Sequence, residues 1–276
     1  MDTKGNLLPN GPLTVVLAQI RFTPIMHIAT YIPQIQDRLR KKGYPFSDTL
    51  QGQSFHPRPN GEIERTAVTQ WILSSPQYAR NIIIDNDQLI FQIFDTHTYQ
   101  FHDYMKEFME ILHIFDNVVN LSIITRFGLR YVNAIAEHKD SSWKTLVNNQ
   151  FHDITFPVNH DWIDNALSSI VVQRGLNLKR SNLKSNFLLR LYQQADSRKY
   201  PPDILRIMTE ENGNSDRFAQ AKLVTFLDLD HFILLRESPK KDFFERFPIL
   251  FDELHAAIED VFYHTLITKE AIRQWS

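Results

Sequence analysis

Two long apolar stripes at helical spacing, each preceded by a run of strand-like segments, constrain this chain most. Phe101, Tyr104, Met105, Phe108, Leu112, Phe115 and Val119 recur three and four residues apart. Phe247, Leu250, Phe251, Leu254, Ile258, Val261, Phe262 and Leu266 do the same near the C-terminus. A helix with one such stripe needs an apolar surface to lie on, and a sheet supplies it. Pro248 fits the first turn of a helix better than its interior, so the second helix is expected to start there.

The segments before each stripe read as strands. Residues 13–22 alternate, with Gln19 and Arg21 on one face and Ala18, Ile20 and Phe22 on the other, and Pro24 ends them. Residues 30–42 read as an amphipathic helix with Tyr31, Ile32, Ile35 and Leu39 inward. Basic residues crowd its C-terminal end and Gly43 stops it. Strands are expected over 66–73, 81–85 and 88–95, the last two flanking an Asn86-Asp87 turn. After the first stripe come a strand over 122–136 and a short helix over 141–149 with Ser141 as N-cap. Strands follow over 169–176, 186–193 and 222–228, and 233–235 extends the sheet. Loop-like composition marks 44–62 and 196–217 as mobile.

Runs of antiparallel strands with helices on one face define an α+β fold. The element order suggests two similar halves, 1–138 and 139–276, each an antiparallel sheet packed against a long helix and joined as one compact unit. With 43% apolar residues, a 276-residue chain can bury a substantial core. A net charge of −2 gives no global attraction to nucleic acid or anionic membranes, leaving only local patches. The absence of cysteine removes disulfides, thiol nucleophiles and cysteine zinc sites. Residues 1–12 lack an apolar signal core and no run of 18 apolar residues occurs, so a cytoplasmic chain without a membrane partner is expected. No phosphate-binding or dinucleotide glycine loop, G-x-S-x-G elbow or His-Glu-x-x-His pattern is present, and no cofactor is expected.

Several stretches together resemble a family of sporadically distributed bacterial proteins of roughly this length and unknown function. They are Pro12-Leu13 leading into Gln19-Ile20-Arg21-Phe22, then Arg126-Phe127-Gly128-Leu129-Arg130-Tyr131-Val132-Asn133, Leu227-Asp228-Leu229-Asp230, and Leu254-His255 with Phe262 and Ile267-Thr268. The resemblance implies a bacterial or mobile-element origin and a phage-defence setting. It carries over no catalytic residues.

Four groups could carry chemistry. Arg126 and Arg130 share a strand face with Gly128 between them, a notch an anion could enter, and Arg21 joins them if the strands pair. The plain alternative is ion pairing on the sheet face. Asp228 and Asp230 point the same way, as a divalent-metal pair would, but need further oxygen ligands. The eleven histidines show no ligand spacing; His97 and His102 lie next to Asp95 and Asp103, and His231 points away from Asp228 and Asp230. The stretch 177–206 carries Lys179, Arg180, Lys184 and Arg190 with Tyr192 and Tyr200 interleaved, a pattern suited to single-stranded nucleic acid. It could equally be balanced by the acidic final helix with Asp252, Glu253, Glu259 and Asp260.

No catalytic constellation assembles. The chain is therefore expected to be a non-enzymatic binding or assembly module acting with a protein partner, and a homodimer is one form of this. A nucleic-acid-binding protein and, less favoured, a metal-dependent hydrolase using Asp228 and Asp230 are the alternatives.

Overall fold

Antiparallel pairing organises the chain around one sheet. In the computed structural model the described residues are 8–57, 63–94, 96–137, 142–152, 169–194, 200, 201, 203, 204, 218, 221 and 223–276. The strands are β1 (Leu13–Phe22), β2 (Phe46–Pro57), β3 (Ile63–Ser74), β4 (Arg80–Ile84), β5 (Gln88–Ile93), β6 (Ile123–Glu137), β7 (Ser169–Leu178), β8 (Leu183–Gln194) and β9 (Leu223–Pro239). The helices are α1 (Ile32–Arg40), α2 (Phe101–Val119), α3 (Trp143–Leu146), α4 (Lys240–Val261) and α5 (Lys269–Trp275), with a π turn over Phe262–Leu266 between the last two. The α+β class and the large antiparallel sheet are those read from the sequence.

All nine strands join in the order β2-β3-β4-β5-β1-β6-β9-β8-β7. Where a sheet in each half was expected, β6 of the first half and β9 of the second pair along their lengths, Phe127 opposite Ile233 and Arg130 opposite Asp230, and fuse the strands into one array. On its other side β6 pairs with β1, Ala18 opposite Leu129 and Arg21 opposite Arg126. β1 also pairs with β5, so this early strand lies in the interior of the sheet.

One face carries the helices. Val16, Ala18, Ile20 and Phe22 of β1 and Phe127, Leu129 and Tyr131 of β6 point to it and are buried. The two apolar stripes meet there: Phe127 lies 5.3 Å from Phe247 and 5.5 Å from Phe251, and Phe108 lies 5.9 Å from Phe247. Edge-to-face and offset rings at this spacing add to the burial of large apolar area. α2 ends on Asn120 in the left-handed region (φ 56°), and α1 is followed by Gly43 (φ 102°), whose missing Cβ makes that turn inexpensive.

The opposite face holds a smaller apolar cluster, in which Val15, Val132, Ala134 and Phe226 are covered by Ile204, Phe218 and Ala221. His231 points to the helix face, away from Asp228 and Asp230. There the Leu254 carbonyl lies 3.1 Å from its Nδ1 and Ser185 Oγ 2.8 Å from its Nε2. Burial pulls its pKa down to about 4, so the ring is neutral.

Four local expectations change. Part of 44–62 is ordered as β2, because its alternating residues pair with β3 from Phe46 opposite Ser74 to Pro57 opposite Ile63. Residues 222–228 and 233–235 are not separate strands but parts of the 17-residue β9, since Asp228 through Leu234 pair without a break with Val132 through Arg126 of β6. α4 begins at Lys240, eight residues before Pro248, because Phe243 extends the stripe onto Phe127 at 5.6 Å. The short helix is capped by Ser142, whose hydroxyl accepts from the Lys144 amide, while Ser141 lies outside the described residues. Most of 196–217 also lies outside them. Among the described residues, no helix is long and apolar enough to cross a membrane.

Candidate functional site

Two polar assemblies interrupt the apolar surfaces of this sheet, one on each face. The first gathers most of the residues singled out in the sequence. On the face opposite α2 and α4, β6, β9 and β8 place Arg130 opposite Asp230, and Arg190 opposite Asp228. The diagonal neighbour of Arg130 is Asp228, within reach of a long side chain. Arg130 grips it bidentately, Nε to Oδ1 and Nη2 to Oδ2, both at 2.7 Å. Arg130 Nη1 also donates to Asp203 Oδ2 at 2.6 Å, and Arg190 Nε donates to Asp228 Oδ2 at 2.9 Å. Arg126 Nη2 stands 3.5 Å from Asp230 Oδ2, and Nη1 donates to Gln19, which donates onward to Gln88.

Three guanidinium groups thus face three carboxylates. Asp228 is fully buried and Arg130 nearly so. Burial alone would lower the Arg130 pKa, but the hydrogen bonds and charges of Asp228 and Asp203 outweigh it and hold Arg130 above the usual arginine range. At Arg126 burial wins, helped by the like charges of Arg21 and Arg130 against the opposing charge of Asp230, and its pKa falls below that range. Burial likewise lifts Asp230 above the ordinary carboxylate, against the pull of Arg126 and Arg130.

The glycine notch is occupied from within the chain. A Cβ on Gly128 would stand 3.0 Å from Phe232 Cβ and 3.1 Å from Arg126 Nη1, because the Arg126 guanidinium lies 4.3 Å over the Phe232 ring. Arg21 lies on the same face opposite Arg126, is exposed, and has no acidic partner among the described residues. Asp228 and Asp230 do share a face, each engaged by arginine. Among the described residues no group of three or more His, Asp or Glu side chains is placed to hold a metal ion.

The basic stretch is divided between surfaces. The Arg180 and Ser181 amides donate to the Glu253 carboxylate at 2.7 and 3.0 Å, and Arg180 Nη1 reaches Asp252 at 3.3 Å, so the β7–β8 turn is tied to α4. Lys179 is exposed at that turn, and Lys184 falls by strand alternation on the opposite face with Arg190. Tyr192 stacks on Phe226 at 5.2 Å rather than standing free.

The second assembly, on the helix face, was not read from the sequence. A cavity of about 80 Å³ opens between the approach to β1, the start of α2 and the end of α4. Tyr99, Phe101, Tyr131, Phe262 and Tyr263 line it with His255 and Glu259. Tyr99 and Tyr131 share a hydrogen bond between their hydroxyls, and Tyr131 Oη lies 2.8 Å from His255 Nδ1; with the Tyr131 hydroxyl as donor, Nδ1 accepts. This leaves the proton on His255 Nε2, 3.5 Å from Glu259 Oε1. Phe101 stacks flat on the His255 ring, 3.7 Å between centroids and 10° between planes.

Burial, with the nearby His102, drives the His255 pKa down to about 3, and burial raises both phenols well above their ordinary value. Burial also raises Glu259. The imidazole therefore stays neutral and the tyrosines stay protonated around neutral pH, so the Tyr99–Tyr131–His255–Glu259 chain is suited to orienting hydrogen bonds. Two signals in the sequence bear on it: His255 and Glu259 are four apart on one helical face, and Tyr131 and His255 both fall in the resembling stretches.

Fold and site together define a class: an antiparallel sheet backed by two aromatic-striped helices, with a neutralised ion-pair lattice on one face and an aromatic cavity on the other. Comparison with models of known protein families and with curated proteins finds no match.

Proposed function

We propose that this chain is a non-enzymatic binding module that docks a protein partner, a second copy of itself included, by strand addition along β7. One observation carries the reading. β7 ends the sheet and is hydrogen-bonded to β8 alone among the described strands, yet over ten residues it has no proline, no shift in register and one charged side chain, Arg174. Proteins that keep a sheet edge free usually protect it with charges, proline, bulges or a cover, and such an unguarded edge is a template for another strand. Val171 on β7 is 63% exposed, which supplies an apolar contact at that edge.

Two further features support binding over catalysis or anion capture. Arg126, Arg130 and Arg190 are matched by aspartates, so a phosphate backbone entering there would have to displace carboxylates from partly buried partners. Asp228 and Asp230 are likewise engaged by arginines. The setting in a bacterial mobile-element or phage-defence system, and in the cytoplasm, belongs to this proposal and rests on the sequence.

Light scattering of the purified chain, with cross-linking in native lysate, tests the reading. The expected result is a dimer or a complex cross-linked through β7 that Val171→Lys removes without lowering the Tm. A strictly monomeric chain that forms no cross-link at β7 overturns it.

A further inference from the structure

From the cavity between β1, α2 and α4 we infer that the chain binds a small organic cation of the alkylammonium class, and that Glu259 and the rings of Phe101, Tyr99 and Tyr263 recognise it. The inference is independent of strand addition at β7, which lies at the far end of the sheet.

Size comes first. At about 80 Å³, against the roughly 10–15 Å³ that one water needs, the cavity accepts a group of about five to seven non-hydrogen atoms. A tetraalkylammonium head or a branched amine is of that size.

The lining decides the chemistry. Apolar atoms dominate it, and the aromatic residues come from the α2 start, β6 and the π turn. Among the described residues the lining contains no lysine or arginine, and His255 is held neutral, so none of them brings a cation to the rings. The negative faces of aromatic rings attract a cation within about 6 Å, most strongly where water is excluded. Phe101 is held rigidly by its stack on His255, and Tyr263 packs edge-on against Phe262 at 5.2 Å.

Glu259 supplies the counter-charge. It lines the cavity with its side chain 30% exposed, and His255 Nε2 lies 3.5 Å from its Oε1. That imidazole, tied at its other nitrogen to Tyr131, is neutral and so does not cancel the charge. One feature favours an anion instead: α2 begins at this cavity with no side-chain cap on its first amides. Asp103 in the same first turn already answers that helix end.

Calorimetry with choline, tetramethylammonium, 3,3-dimethyl-1-butanol and acetate tests the proposal, with NMR of the aromatic rings locating any ligand. Choline and tetramethylammonium are expected to bind and to shift the Phe101 and Tyr263 rings. The butanol, the uncharged carbon counterpart of choline, is expected to bind about tenfold more weakly. Glu259→Gln, at a part-exposed position that tolerates substitution, is expected to weaken choline about tenfold and leave the butanol unchanged. Phe101→Leu is expected to weaken the cations more than the butanol. Equal binding of choline and the butanol, preference for acetate, indifference to Glu259→Gln, or no binding of any cation would each overturn it.

Discussion

Asp228 carries more of this molecule than its position in a strand suggests. Its carboxylate is out of water and is shared by Arg130 and Arg190. Removing one partner of a buried pair leaves the other charge uncompensated, at about 3–5 kcal/mol. Asp228→Asn is therefore expected to cost about 3 kcal/mol in urea unfolding, since Asp203 still partners Arg130, and Arg190→Gln, at a more exposed site, is expected to cost less. Gly128 makes the complementary case. Any Cβ there must push Arg126 or Phe232, so Gly128→Ala should lose about 1–3 kcal/mol, and less in an Arg126→Gln background, where the guanidinium is gone. His231 sets a pH dependence. Its folded pKa of about 4 lies below the ordinary 6.5, so the unfolded chain binds the extra proton first. Stability is then complete above about pH 6.5 and is lost as pH falls towards 4, by on the order of 3 kcal/mol. Urea titrations at stepped pH should show this slope, and His231→Gln should remove its share while leaving that of His255, whose folded pKa of about 3 is depressed in the same direction.

Helices and strands differ in how plainly the chain announces them. Both long stripes were legible because Phe108, Phe115, Phe247 and Phe251 meet a sheet that runs across them, and helical spacing survives any sheet order. Arg126 and Arg130 were legible as one face for the same reason: alternation is local. Their partners were not, because Asp203, Asp228 and Asp230 reach them only through the β6–β9 register and a segment that folds back over the sheet. The Gly128 notch reads as an empty space in sequence and is filled only once β9 brings Phe232 beside it. β2 was hidden by its polar composition: Ser47, Asp48, Thr49 and Gln51 give no apolar period, and only pairing with β3 orders them. The start of α4 was displaced by the rule for Pro248. That residue removes one amide donor, but Phe243, Phe247 and Phe251, all buried, hold the helix before and after the lost bond. Phe247→Ala is accordingly expected to cost about 3–5 kcal/mol.

The whole chain is tied together by its largest apolar cluster, which runs from Val16 to Trp275 and draws on strands and helices from both ends of the sequence. With β6 and β9 paired along their lengths, separating 1–138 from 139–276 leaves a long unpaired sheet edge on each fragment. Urea unfolding followed by far-UV circular dichroism and by tryptophan fluorescence should therefore give one coincident transition. Two separate transitions, or independent folding of either fragment, would show that the junction contributes little.

The interior place of β1 also bears on how the protein is made. Its ten residues are synthesised before both of the strands that flank it, β5 and β6. Until residue 137 has been synthesised, Val16, Ala18 and Ile20 have no complete surface to rest on. Nascent chains of this protein thus carry an unpaired adhesive segment throughout the synthesis of residues 23–137, and that segment is where chaperone capture and co-translational misassembly should concentrate.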